Sequence, residues 1–168
     1  MRASLPSVAA ACVLLGTLGT GVGPLRQAAA AAAPECGTGT LRASIGGGDA
    51  GAGNIYTTLV LRNTGHATCV MRGYPGVSLL DRHGHQLGRA AQRTGASTRT
   101  IVLRPGGTAS TVIHTLNPGV GTTACLGPSA AVRVYPPDQR TSLRVPVRLS
   151  ECLGVLEVRP LVAGSAGM

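Results

Sequence analysis

Between residues 41 and 160 no stretch of this chain sustains a helical period. It runs instead as short segments of alternating apolar and polar residues, each cut off by glycine or proline. That punctuation points to an antiparallel sandwich or barrel. The clearest strand covers residues 54–62, where Ile55, Thr57, Leu59 and Leu61 share one face and Tyr56, Thr58, Val60 and Arg62 take the other. Asn63, Thr64 and Gly65 follow as a turn, with Asn and Gly suited to a positive φ. Further strands are expected at residues 67–72, 77–81, 86–89, 101–103, 108–116, 131–135, 143–149 and 155–158, and a hairpin turn at residues 82–85. Residues 90–98 read as a mobile loop and 117–129 as irregular chain. The expected fold is all-β: one immunoglobulin-like antiparallel β-sandwich of about seven to nine strands over residues 34–162, with a flexible tail at 163–168.

The core of such a sandwich must be aliphatic, because Phe and Trp are absent and Tyr56, Tyr74 and Tyr135 are the only aromatic residues. Covalent crosslinks therefore matter more than usual. Residues 1–33 read as a cleaved signal peptide: Arg2, an apolar run over about residues 8–22, and an alanine exit at 28–33. Gly16, Gly19, Gly21, Gly23 and Pro24 break that run below the length of a spanning helix. A lipid anchor at Cys12 is disfavoured, since cleavage there would leave the remaining apolar residues on the mature chain. With Cys12 removed, Cys36, Cys69, Cys125 and Cys152 remain, an even number that reads as two disulfides in an exported domain. Three pairings are open, of which the sequential one, Cys36–Cys69 and Cys125–Cys152, is favoured. Either loop would contribute about 3–4 kcal/mol in the chain-entropy view.

The formal charge of +9 comes entirely from arginine. Past the leader, thirteen arginines stand against six acids, spaced singly and without interleaved aromatic residues. That pattern argues against nucleic acid and suits a soluble protein in an anionic envelope. His83 and His85 could begin a metal site, with His66, Cys69 and Met71 completing a copper-like set. A turn position and a disulfide account for them better, and no cofactor is expected. No G-x-S-x-G elbow or free cysteine offers a nucleophile. Ser78, Asp81 and His83 form a triad only on paper, carboxylate pairs are unsupported, and Gly46-Gly47-Gly48 reads as a flexible connection.

One set of residues forms a recognisable pattern: Cys36, Asn63-Thr64-Gly65, Cys69, Gly73-Tyr74-Pro75-Gly76-Val77, Asp81, Gly84, Leu103, Pro105-Gly106, Cys125, Pro136-Pro137 and Cys152. On these, over roughly residues 36–161, the chain resembles the actinobacterial exported family known as domain of unknown function 4232. The resemblance implies an exported β-sandwich without an established activity or catalytic residues. Many such relatives carry a lipobox and a spacer rich in Ser, Thr and Pro, which this chain lacks. The motif residues read as structural, with Gly65, Gly73, Gly76 and Gly106 serving turns and Pro75 and Pro105 fixing φ.

The expectation is thus a non-enzymatic, secreted and monomeric domain that binds another exported protein or a cell-wall component. The alternative is a secreted protease inhibitor presenting residues 117–125.

Overall fold

The computed structural model describes residues 32–96, 98–119 and 124–167. The leader expected over residues 1–33, with Cys12, lies outside the described residues except for Ala32 and Ala33. After a 3-10 turn at Thr38–Thr40, the strands among the described residues are β1 (Leu41–Gly51), β2 (Asn54–Asn63), β3 (Cys69–Met71), β4 (Gly76–Leu80), β5 (Gln86–Leu87), β6 (Gln92–Arg93) and β7 (Ile101–Leu103). They continue with β8 (Thr108–Leu116), β9 (Cys125–Leu126), β10 (Ala131–Tyr135), β11 (Leu143–Pro146), β12 (Glu151–Cys152), β13 (Leu156–Val158) and β14 (Val162–Ala163). Nine of these are three residues or longer.

The sandwich is built from a six-stranded sheet, β1-β2-β8-β13-β6 with β14 also on β8, and a four-stranded sheet, β11-β10-β4-β5. Two small ladders, β3–β7 and β9–β12, complete it. Alternation along the long strands aims one set of side chains inward. Leu59, Leu61, Ala109, Ile113, Leu156 and Val158 from the first sheet share a core with Val77, Leu79, Val132, Val134 and Val145 from the second. Cys36 and Cys69 belong to the same core and are joined to each other, and Cys125 is joined to Cys152.

Several local departures from expectation have physical causes. The Gly46-Gly47-Gly48 run is not a loose connection but the middle of β1, which pairs with β2 on both sides of an irregularity between Ile45 and Gly48. A bulge needs chain without side chains here, since a Cβ on Gly48 would lie 2.7 Å from the Tyr56 carbonyl oxygen. Gly65 likewise serves close approach rather than a positive φ: a Cβ there would press on Thr40 and the Asn63 side chain. Gly76 also has no positive φ and lies at the start of β4, whereas Gly73 and Gly106 take the left-handed conformation expected of them. Within the loop expected at residues 90–98, β6 adds to the sheet edge in parallel with β13. It does so through backbone alone, both residues being exposed, so no alternation marks it.

The last strand is interrupted at Pro160, which has no N–H for the ladder. Around it, the Arg159 N–H donates to Val112 O (3.1 Å) and the Thr111 hydroxyl donates to Arg159 O (2.6 Å). Pairing with β8 then resumes in β14, and the Gly167 N–H donates to Ser110 Oγ at 2.8 Å. The chain therefore stays attached to the sheet over much of the stretch expected to be a flexible tail.

β1 and β2 are joined through Ala52 (φ 49°) and Gly53 (φ 81°), the two positive φ values of a type I′ hairpin turn. Alanine is poorly suited to the first position, where a left-handed conformation costs an L-residue about 1–2 kcal/mol. Ala52→Asn, on an exposed side chain, is expected to raise the unfolding free energy by about 1 kcal/mol, read as a higher urea midpoint at unchanged m-value.

Candidate functional site

The outer face of the six-stranded sheet carries most of the polar side chains that meet across strands. Residues paired in register on adjacent strands project from the same face. Asp49 pairs with Tyr56, Tyr56 with His114, His114 with Glu157 and Glu157 with Gln92. One row thus crosses β1, β2, β8, β13 and β6. Within it the His114 and Tyr56 rings stack at 4.8 Å, and the Arg159 guanidinium lies 5.8 Å from the Tyr56 ring centre. His114 Nδ1 lies 2.9 Å from Glu157 Oε2, and Nε2 lies 2.7 Å from Asn54 Oδ1. The Asn54 amide is oriented by its donation to Ala52 O at 3.1 Å.

Both imidazole nitrogens are therefore engaged, and the ring acts as a fixed wall rather than a free base. Beside it lies a cleft of about 450 Å³ bordered by Asp49, Tyr56, Thr58, Arg159 and the Ser165–Ala166 backbone turn. An aromatic ring, a carboxylate, a guanidinium and a hydroxyl meet at its mouth, a set suited to holding a polar ligand by its surface groups.

At the far end of the same face, Arg42 on β1 stands directly opposite Arg62 on β2, and both are exposed. Like charges in register repel. They bound a second hollow of about 480 Å³ with Thr64 and Gly106. No arginine among the described residues is ion-paired with a carboxylate, the two ion contacts being His85 with Asp81 and His114 with Glu157.

His83 and His85 occupy the tip of the β4–β5 hairpin, as their flanking sequence suggested. Their backbone N–H groups both donate to Asp81 Oδ1 at 2.8 Å, and the rings stack with centroids 6.1 Å apart. Partial desolvation raises the Asp81 carboxyl, but the His85 and His83 N–H groups and the two imidazoles outweigh it and hold it below its ordinary value. The pair thus shapes a turn. Among the described residues no three His, Cys, Asp or Glu side chains converge as metal ligands. His66 is exposed, Met71 is buried and Cys69 is in a disulfide. Ser78 is buried within β4, away from the solvent-facing tip that carries Asp81 and His83. Of the loop over residues 117–125, residues 120–123 lie outside the described residues.

Sequence reasoning placed Tyr56 on the face opposite Ile55, Thr57, Leu59 and Leu61 but missed the partnership of Asn54, Tyr56, His114 and Glu157. Period-two alternation puts each on a solvent-facing side. Only the pairing of β2, β8 and β13 brings together residues up to 103 positions apart.

The fold and its crosslinks define a disulfide-stapled, all-β sandwich domain. The model of the family "Domain of unknown function (DUF4232)" matches residues 36–162, and the chain belongs to that family. Comparison with curated proteins finds no match. Among solved structures the chain is similar to a β-glucosidase from Kluyveromyces marxianus, at 13% identity and a TM-score of 0.31, and to the same enzyme in complex with glucose at 12% and 0.31. Each alignment covers 67% of this chain and 14% of the enzyme, a likeness too weak to bear on activity.

Proposed function

We propose that this is a non-enzymatic, exported interaction domain whose recognition surface is the outer face of the six-stranded sheet, and whose partner is an acidic cell-envelope or extracellular component. The carrying observation is the Arg42–Arg62 pair, opposed in register with no carboxylate to neutralise it. An anionic partner relieves that repulsion on binding. The two disulfides support an oxidising compartment, and among the described residues no helix is long and apolar enough to cross a membrane. The domain acts as a monomer and takes neither cofactor nor nucleic acid.

Purified protein is expected to be retained by envelope material at low salt and released at about 0.5 M salt, where screening reaches within a few ångströms. Arg42→Ala/Arg62→Ala is expected to weaken retention roughly tenfold, the scale of a lost charge-assisted contact. Retention that ignores both salt and this double variant would end the proposal. The protease-inhibitor reading keeps one observation in its favour: Cys125 at the end of the 117–125 loop is clamped to Cys152, beside a Leu153 that is 64% exposed.

A further inference from the structure

Glu151 on β12 is only 6% exposed, and its Oε2 is buried without a hydrogen-bond partner. A buried carboxylate without a cationic partner costs free energy until one reaches it. The chain holds this side chain at the wall of a cleft of about 320 Å³ that meets the outer-face row only at Gln92. Gly88 has a φ of +64°, and a Cβ there would fall on Oε2 itself, so the missing side chain lets the carboxylate pack Oε2 directly against Gly88 and Leu126. Leu126 and Leu156 supply apolar wall, with Leu126 still 46% exposed, and Gln92 and Arg89 stand at the rim. Arg89 is exposed and makes no ion pair with Glu151. A buried carboxylate with no ion pair, an apolar wall and a glycine neighbour thus converge on one place.

We infer that this cleft takes an alkylammonium group, as carried by a lysine side chain or a small diamine. The ammonium donates to Glu151 and the methylene stem lies along Leu126 and Leu156. With Oε2 packed against Gly88 and Leu126, at most one carboxylate oxygen is open to the cleft, which matches the compact, three-donor ammonium, whereas the planar fork of a guanidinium is suited to both oxygens of a carboxylate. The stem gains from the same apolar contact by which long basic side chains cover hydrophobic surface.

The test is amide chemical-shift titration of the disulfide-intact protein with n-butylammonium, cadaverine and a short lysine peptide, with tetramethylammonium as a cation lacking N–H donors. Saturating shifts at Gly88, Glu151 and Gly154 are expected at about millimolar n-butylammonium, and none with tetramethylammonium. Glu151→Gln is expected to weaken binding at least about tenfold. Arg89→Ala, which leaves Glu151 in place and removes a competing positive charge at the rim, is expected to tighten it about threefold. A lysine peptide saturating well below n-butylammonium assigns the group to a protein partner, and comparable affinities assign it to a free amine. Absence of saturating shifts in the native protein, or equal shifts with tetramethylammonium, would overturn the inference. If Glu151→Gln does not fold, an Arg89→Ala affinity equal to or weaker than that of the native protein overturns it as well.

Discussion

Asn63→Leu is expected to lower the unfolding free energy by about 3–5 kcal/mol, the scale for stranding several buried hydrogen-bonding groups at once. The side chain is 1% exposed and donates both amide hydrogens, to Ala67 O at 2.9 Å and Leu103 O at 3.0 Å, while accepting from the Gly65 N–H at 2.9 Å. Its backbone is tied to the β7–β8 turn as well, donating to Gly107 O and accepting from the Gly106 N–H. Leucine preserves the approximate volume and removes all three side-chain bonds. Asn63→Asp is the sharper test, because it retains the acceptor but turns an oxygen toward two carbonyls. It is expected to be at least as damaging at neutral pH. Urea unfolding with both disulfides intact measures the difference, and a loss below about 1 kcal/mol would show that these bonds are nearly neutral in net.

Reduction of both disulfides is expected to unfold the domain near physiological temperature. The bridges span 33 and 27 residues, for which the chain-entropy relation gives about 3–4 kcal/mol each. Together they approach the whole net stability of an ordinary domain, about 5–15 kcal/mol. The two losses differ in kind. Cys36→Ala/Cys69→Ala removes two buried sulfurs from the central core, whereas Cys125→Ala/Cys152→Ala removes one, at Cys152, from outside that core and unpins the small β9–β12 ladder. The first pair is expected to be the more costly by about 1–2 kcal/mol, the price of large-to-small change in a packed site. Circular dichroism melts of the two variants and of the reduced native protein decide this. A reduced protein that melts at the native temperature would remove the crosslinks from the stability argument.

How far the fold could be read from the sequence varied with what each strand buries. β2, β8 and β10 alternate side chains against the core, so Leu59, Ile113 and Val134 signal their positions directly. β1 escaped because its glycine bulge resembles a linker, and β6 because it joins through backbone groups that leave no trace in residue type. The favoured cysteine pairing is the one formed, each bridge closing a short local excursion. The sites were far less legible. Tyr56, His114 and Glu157 meet by register between distant strands, and Glu151 looks like an ordinary acid until its burial and Gly88 are seen together. Alternation identifies a face, but pairing chooses the neighbours.

The start of the folded region has a mechanical consequence. Glu35 bridges Val70 in parallel: the Val70 N–H donates to Pro34 O, the Cys36 N–H donates to Val70 O, both at 2.8 Å, and the Cys36–Cys69 bond lies immediately behind. A pull applied to the chain at Pro34 loads these two hydrogen bonds in shear and then meets a covalent stop. Beyond that stop the load passes into β3 and its ladder with β7, and the segment from Cys36 to Cys69, including β1 and β2, is excluded from extension while the bond is oxidised. The outer-face row on β1 and β2 is thereby shielded from pulling at that end.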